Sequence, residues 1–157
     1  LTDILYGRGA YDSIHGRGAI ELPDQSVRYR RRWDRAPRTW DKHLNLVRSI
    51  WSKSASISDV QIWAFNVLKS KRADIPRLTK GGLNLAMISP YTPVRRTACA
   101  QISNEPRRFL QLDMSAAVGF LEFCSEKQFR TLFPTLEELA QQIVQTGGFG
   151  HRVRRST

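Results

Sequence analysis

Residues 58–70 read SDVQIWAFNVLKS, a stretch that joins a helix-start pattern to a run of mostly apolar residues. Ser58 stands three residues before Gln61, which is the spacing of a capping box, and apolar residues follow from Val60 to Leu68. The segment KSKRAD comes next and places basic groups where the dipole of a helix favours them. The stretch therefore predicts a helix that begins at Ser58 and closes in this basic segment.

Helical patterns continue on both sides of this stretch. Upstream, a helix is predicted from Thr39, a favourable N-cap residue, with Asp41 in its first turn. Its apolar residues recur at i, i+4, i+7 and i+11, and they are Trp40, Leu44, Val47 and Trp51. Downstream, one helix is predicted over residues 79–88, and another begins with Pro93 in its first turn and runs to about residue 102.

The last third of the chain predicts further helices. Asp113 or Ser115 is expected to cap an apolar helix, and Ser125 with Gln128 is expected to begin a short one that Pro134 ends.

A final helix is predicted after this proline, with Thr135 and Glu138 as its capping box and Gly147 at its end. Its apolar stripe consists of Leu136, Leu139, Ala140, Ile143 and Val144. Together these patterns predict an all-α fold, a compact bundle of five to seven short helices, in residues 39–148.

The beginning of the chain has a different composition. The segments YGRGAYD and HGRGAIE form an imperfect repeat, and glycines at these positions favour an arm or glycine-rich turns over a helix. The segment AIELPDQSVRYRRRW, residues 19–33, also fits a short hairpin with Pro23 and Asp24 in the turn. Residues 1–38 are therefore predicted to be a glycine- and arginine-rich arm, and residues 149–157 a basic tail.

The charge of the chain is large and unevenly placed. The 157 residues carry a formal net charge of +11, with eighteen basic and five acidic residues between positions 28 and 108. Because five acids cannot neutralise eighteen bases, most of these charges require an outside partner. Arginine outnumbers lysine 19 to 6, and this bias favours phosphate-like oxyanions that a guanidinium can hold through two hydrogen bonds.

Two groups of basic residues are the predicted anion contacts. The first lies in RYRRRWDRAPR, and its members are Arg28, Arg30, Arg31, Arg32, Arg35 and Arg38. The second group is Arg72, Arg77, Lys80, Arg95 and Arg96. Tyr29 and Trp33 are interleaved with the first group, where aromatic rings suit both stacking on bases and a membrane interface. Core packing is the competing interpretation of Trp33, and the aromatic residues do not decide between RNA and an anionic membrane.

The motifs of common enzymes are missing from the sequence. No Walker loop, no Gly-x-Ser-x-Gly and no zinc-type pairing of histidines or cysteines occurs, so we expect neither catalysis, a metal nor a cofactor. Cys99 and Cys124 each lie in an apolar run, which predicts buried free thiols in an intracellular, reducing compartment, with a disulfide as the minor alternative. No apolar run approaches the length of a membrane span, so any membrane contact is expected to be peripheral.

One part of the chain resembles a known family. Residues 58–96, SDVQIWAFNVLKSKRADIPRLTKGGLNLAMISPYTPVRR, are similar to the N-terminal domain of influenza-type orthomyxovirus matrix proteins. The shared features are Asp59 at a helix start, the Leu68-Lys69-Ser70 ending, LTKG at residues 78–81 and the Arg95-Arg96 pair. The resemblance covers about a quarter of the chain.

This resemblance implies a structural viral protein that binds the inner membrane leaflet and the ribonucleoprotein and self-associates in sheets. The expected location is then the virion interior beneath the envelope, and the expected partners are RNA or ribonucleoprotein, an anionic membrane surface and further copies of the chain. The alternative is an RNA-binding ribonucleoprotein component, such as a nucleocapsid or ribosome-associated protein, without a membrane role.

Overall fold

The computed structural model describes residues 10–12, 17–21, 27–30, 37–53 and 57–147. Within residues 37–53 and 57–147 the chain forms a compact all-α bundle, as predicted. The elements of this bundle are α1 (Pro37–Lys42), α2 (Leu44–Lys53), α3 (Ser58–Ser70), α4 (Lys80–Met87), α5 (Thr92–Asn104), a 3-10 helix (Pro106–Gln111), α6 (Met114–Phe123) and α7 (Glu126–Gly147).

Three short strands precede the helices. They are β1 (Ala10–Asp12), β2 (Arg17–Glu21) and β3 (Val27–Arg30), and they pair antiparallel in the order β1-β2-β3. Strands β2 and β3 overlap residues 19–33, which the sequence fits to a short hairpin, and the expected turn residues, Pro23 and Asp24, lie outside the described residues. The second glycine repeat lies partly in β2, so this portion of the predicted arm forms strand rather than turn. The predicted tail, residues 149–157, also lies outside the described residues.

One predicted helix start and one predicted capping box are wrong at the N-terminal side of the bundle, although α3 begins at Ser58 as predicted. The helix expected from Thr39 is two helices separated at His43, and Thr39 lies inside α1. The capping box expected at the start of α3 does not form, because Ile57 is the N-cap and no side chain caps it. Gln61 is buried instead, and its Nε2 donates to the carbonyl oxygen of Gly82 at 2.8 Å. Gln61 therefore makes a contact between helices instead of the helix cap that the local sequence pattern predicts.

The start of α6 and the start of α7 follow the prediction. Asp113 caps α6 by accepting the backbone N–H of Ala116 at 2.9 Å. Ser125 and Gln128 form the predicted capping box, in which Gln128 Oε1 accepts from the backbone N–H of Ser125 at 2.9 Å.

The predicted end of this helix at Pro134 is wrong, because α7 continues through the proline to Gly147. Leu132 before the proline is fully buried and Leu136 after it packs against the core. The burial of apolar side chains on both sides of Pro134 offsets the loss of the backbone hydrogen bond that proline removes from a helix interior. The capping box expected just beyond it is therefore absent, and its Glu138 pairs with Arg107 instead, with 3.2 Å between Oε2 and Nη2.

The core is one hydrophobic cluster built mainly from α2 to α6. The stripe predicted upstream of α3 reaches it as expected, because Val47 and Trp51 are fully buried and Trp40 and Leu44 pack at its edge. The largest fully buried apolar side chains are Trp51, Trp63, Phe120, Ile62, Leu68, Leu78, Leu83, Met87, Ile102 and Leu132. Trp40 meets Trp63 edge to face with their ring centroids 4.9 Å apart, a geometry that adds to the stabilisation from burial.

Helix α4 begins against the end of α2. Thr79, which the sequence predicted as the first residue of this helix, is its N-cap, with its Oγ1 accepting the N–H of Gly82 at 3.3 Å. The same residue binds back to α2, because its backbone N–H and its hydroxyl both donate to the carbonyl oxygen of Ser52, at 2.9 and 2.7 Å. This close approach leaves no room at Gly82, where a Cβ would lie 2.5 Å from that oxygen.

The segment between α3 and α4 is held by side chains from three other elements. Trp51 Nε1 and Gln101 Nε2 both donate to the carbonyl oxygen of Pro76, at 2.8 and 3.1 Å. Gln101 Oε1 accepts the backbone N–H of Leu78 at 3.0 Å and Nη1 of Arg108 at 2.9 Å. Nη2 of Arg108 donates to the Leu78 carbonyl oxygen. Arg108 is only 3% exposed, so this guanidinium is a structural group.

We expect Gly82→Ala to lower the free energy of unfolding by about 1–3 kcal/mol, because the added methyl group forces α4 away from the end of α2. Gly81→Ala is the matched control on the same helix turn, and there alanine should raise stability by up to about 1 kcal/mol through its higher helix propensity. Urea unfolding followed by circular dichroism measures both. Equal changes in the free energy of unfolding at the two positions would contradict the close approach of Gly82 to the end of α2.

We expect Arg108→Met to lower the free energy of unfolding by about 2–4 kcal/mol, because the substitution leaves the Leu78 carbonyl oxygen without its donor and removes one of the two donors to Gln101 Oε1. Arg107→Met is the control, since the Arg107 side chain is 82% exposed, and it should change stability by no more than about 0.5 kcal/mol. The same urea titration separates them. A variant at Arg108 that is as stable as the variant at Arg107 would show that the buried network does not hold the segment.

Candidate polyanion-binding surface

The first predicted group of arginines is described only in part. Arg28 and Arg30 lie on β3, opposite Ile20 and Gly18 of β2, and Tyr29 stands between them. Arg38 lies in α1 and is exposed. The other members of the prediction, Arg31, Arg32, Trp33 and Arg35, lie outside the described residues.

The second group is centred on the segment that follows α3. We name residues 71–80 the basic loop, because it carries Lys71, Arg72, Arg77 and Lys80 at exposed positions. Arg72 turns the chain out of α3 with a φ of 52°, the left-handed conformation in which helices commonly end. The buried network around Pro76 and Leu78 fixes the second half of the loop, so its cations are displayed from a held backbone.

The cations of the basic loop differ in their partners. Lys71 pairs with Asp41 at 2.5 Å, and Arg77 pairs with Glu105. Arg72 and Lys80 have no carboxylate partner within the ranges that the structure describes. Both side chains of the Arg77–Glu105 pair are solvent-exposed, with relative exposures of 63% and 48%. Exposed ion pairs of this kind contribute about 0–1 kcal/mol to stability. A phosphate group can therefore replace the carboxylate at little cost.

Arg95 and Arg96 are adjacent in sequence but lie in different surroundings. The Arg95 guanidinium lies 4.7 Å from the ring centroid of Phe123, and its Nη2 contacts Thr92 Oγ1 at 3.5 Å. This cation–π contact holds Arg95 against α6 and leaves it half-buried. Arg96 is exposed and has no carboxylate partner among the described residues. Of the two, Arg96 is the better placed to meet an anion.

A cleft beside the basic loop joins it to the 3-10 helix and α7. The cleft has a volume of about 480 Å³, and its lining consists of Arg77, Glu105, Pro106, Arg107, Arg108, Gln111 and Thr135. Burial and the nearby Arg77 lower the pKa of the Arg108 guanidinium, whereas Glu105 raises it. The sequence prediction did not find this cleft as one site, because its exposed arginines, Arg77 and Arg107, lie thirty residues apart in the chain. The adjacent Arg107-Arg108 pair is the signal that could have directed attention to it.

The surface offers hydrogen-bond donors and positive charge rather than reactive groups. Cys99 is buried, and desolvation, with Cys124 nearby, raises the pKa of its thiol to about 12. This thiol is therefore neutral near pH 7 and is not a nucleophile. Within the described residues no group of three or more potential ligands is placed to hold a metal ion. No helix among these residues is long and apolar enough to cross a membrane.

Three exposed cations of the second predicted group, Arg72, Lys80 and Arg96, have no carboxylate partner among the described residues, and they lie in the basic loop and α5. Dispersed cations on a rigid scaffold bind repeated phosphates, where each contact releases counterions and adds a small, salt-dependent increment.

Comparisons with known proteins supply no further assignment. The chain matches no family model, and the searches of curated proteins and of solved structures likewise found no match.

Proposed function

We propose that the chain is a structural protein of the viral matrix type, which binds an anionic membrane surface and ribonucleoprotein through its basic surface and self-assembles. The observation that carries the proposal is a set of three exposed cations in the basic loop and α5, Arg72, Lys80 and Arg96, that have no carboxylate partner among the residues that the structure describes. The protein acts by binding polyanions and not by catalysis, and its location is the virion interior beneath the envelope.

The resemblance to orthomyxovirus matrix proteins supports this proposal through the roles of the residues that carry it. In the LTKG segment, Leu78 is buried and Thr79 caps α4, which leaves Lys80 exposed. In the Arg95-Arg96 pair, one arginine packs on an aromatic ring and the other is exposed. Each motif thus combines a structural residue with a cation available to a partner.

One observation favours the alternative, an RNA-binding ribonucleoprotein component without a membrane role. The apolar residues of the basic loop are turned inward, because Leu78 is buried and Ala73 and Ile75 pack against the core. The loop therefore presents no large apolar side chain for insertion between lipid headgroups, and a membrane contact here would be electrostatic alone. The same cations would serve RNA equally well.

A triple variant, Arg72→Gln, Lys80→Gln and Arg96→Gln, tests the basic surface. We expect its affinity for phosphatidylserine liposomes to fall roughly a hundredfold at low salt, since each cation near acidic headgroups contributes about 1 kcal/mol. For a generic single-stranded RNA, the log–log slope of affinity against salt should become shallower by about 2, at about 0.7 for each lost contact. Titrations at several salt concentrations measure both quantities.

The matched control removes the same charge from other exposed positions, by Lys42→Gln, Lys127→Gln and Arg130→Gln. It should retain the wild-type salt slope for RNA. If the two triple variants lost equal affinity for RNA and liposomes, only the net charge of the chain would matter, and the assignment of the basic surface would fail. RNA binding without liposome binding in the wild type would replace the matrix proposal with the alternative. A third variant, with Arg30, Arg31 and Arg32 changed to Ser, measures how much the arginine-rich segment contributes to the affinity for RNA and for liposomes.

A further inference from the structure

The cleft beside the basic loop carries an excess of positive charge. Among the described residues that line it, three have a guanidinium group, Arg77, Arg107 and Arg108, and one, Glu105, has a carboxylate. A second carboxylate, that of Glu138, pairs with Arg107 from the neighbouring groove. With both carboxylates counted, one of the three positive charges remains unbalanced, so the cleft attracts an anion.

The buried guanidinium of Arg108 is the charge that lacks a counter-ion. Its hydrogen bonds go to neutral acceptors, the Leu78 carbonyl oxygen and Gln101 Oε1, and no ion pair among the described residues includes it. Its Nε is buried and has no hydrogen-bond partner in this part of the chain. Burial and the nearby Arg77 lower the pKa of this guanidinium against the opposing effect of Glu105. A buried charge without a counter-ion is costly, so an anion in the cleft would stabilise Arg108 without contacting it.

The two exposed arginines of the cleft extend from held backbone. Arg77 lies between Pro76 and Leu78, whose backbone groups are bound by the buried network. Arg107 directly precedes the anchored Arg108 in the 3-10 helix. Backbone that is ordered before a ligand arrives lowers the entropic cost of binding. The cleft is therefore prepared to receive a ligand between these two side chains.

The present partners of these arginines indicate which anion fits. Arg77 pairs with Glu105 and Arg107 pairs with Glu138, and the four side chains are 48% to 82% exposed, so both ion pairs are weak. A carboxylate ligand would exchange one such pair for another and gain little. A phosphate monoester carries nearly two negative charges near pH 7 and has three acceptor oxygens. One such group can therefore accept hydrogen bonds from both arginines at once.

The cleft is larger than a phosphate group alone requires. Its volume of about 480 Å³ lies in the range of sites that hold small organic molecules. An amide and a hydroxyl, from Gln111 and Thr135, also line it, and each of these groups both donates and accepts hydrogen bonds. They suit a hydroxyl-rich group attached to the phosphate, such as the sugar of a nucleotide.

We propose that this cleft binds the phosphate monoester of a nucleotide, with Arg77 and Arg107 as its contacts and Arg108 as a fixed charge behind them. A free nucleotide and the 5′ end of an RNA strand carry the same group. The site is separate from the three unpaired cations of the basic surface, so the inference goes beyond the proposed function and does not depend on it.

Titration of the full chain with adenosine 5′-monophosphate, followed by the NMR shifts of the backbone amides, tests the site. We expect saturable shifts around the cleft that adenosine and acetate do not produce. Arg77→Gln and Arg107→Gln should each weaken binding at least about tenfold, because each removes a charge-assisted hydrogen bond. The matched control is Arg72→Gln in the same loop, which should keep the wild-type affinity. Binding should also weaken as the pH falls through about 6, where the monoester takes up its second proton.

Variants of the paired glutamates should strengthen binding. Glu105→Gln and Glu138→Gln each remove a carboxylate that competes for a guanidinium of the cleft, so the affinity for the monophosphate should rise about two- to fivefold. Glu126→Gln changes the net charge equally, but its carboxylate pairs with Arg130 elsewhere on α7, and this control should bind as the wild type does. Damage to the fold does not produce a gain in affinity.

The absence of saturable shifts at the cleft, or acetate that binds as well as the monophosphate, would overturn the site. An equal gain in the control Glu126→Gln would also overturn it, because net charge alone would then govern binding. A short RNA with a 5′-phosphate and its 5′-hydroxyl twin distinguish the two sources of the ligand. Tighter binding of the phosphorylated strand assigns the cleft to strand ends, and equal binding assigns it to free nucleotides.

The triple variant of the basic surface separates this proposal from the proposed function. Loss of Arg72, Lys80 and Arg96 should leave the affinity for adenosine 5′-monophosphate unchanged. Conversely, a cleft that binds no monophosphate leaves the expected RNA and liposome titrations of that triple variant as they are. The two proposals therefore succeed or fail separately.

Discussion

The segment between α3 and α4 depends on one buried hydrogen-bonded network. Three side chains that are distant in sequence, Trp51, Gln101 and Arg108, satisfy the backbone groups of Pro76 and Leu78. Buried backbone N–H and carbonyl groups require such partners, so the network ties α2, α5 and the 3-10 helix to a segment that has no regular structure of its own. Because the guanidinium of Arg108 belongs to this network, one member of a sequence-adjacent arginine pair is removed from any binding role.

The same network determines what the basic loop presents to solvent. Its apolar residues are drawn towards the core, and its cations remain outside on a backbone that is already ordered. Lys80 stands in the first turn of α4, where the helix dipole disfavours a positive side chain. An anion that approaches this position is attracted by the side chain and by the helix terminus together. If the basic surface binds polyanions as proposed, that binding offsets the cost of placing a lysine there.

Local sequence patterns predicted the elements that local forces determine. The apolar periodicity identified the helical bundle, and Asp113 and Ser125 cap helices as their neighbours in sequence indicated. The predictions failed where a distant contact competes with a local pattern. Gln61 binds the backbone of α4 instead of capping α3, and burial on both sides carries α7 through Pro134.

The same distinction between local patterns and distant contacts applies to the candidate site. The cations of the basic loop are close together in sequence and could be predicted as a group. The cleft between Arg77 and Arg107 could not, because only the fold brings those residues together. If the basic surface binds polyanions and the chain self-assembles, as proposed above, the two events are also coupled. A bound polyanion neutralises the charge that keeps copies of the chain apart, so it should strengthen their association. By linkage, association must then strengthen polyanion binding by the same factor, and layers should assemble where the polyanion already is.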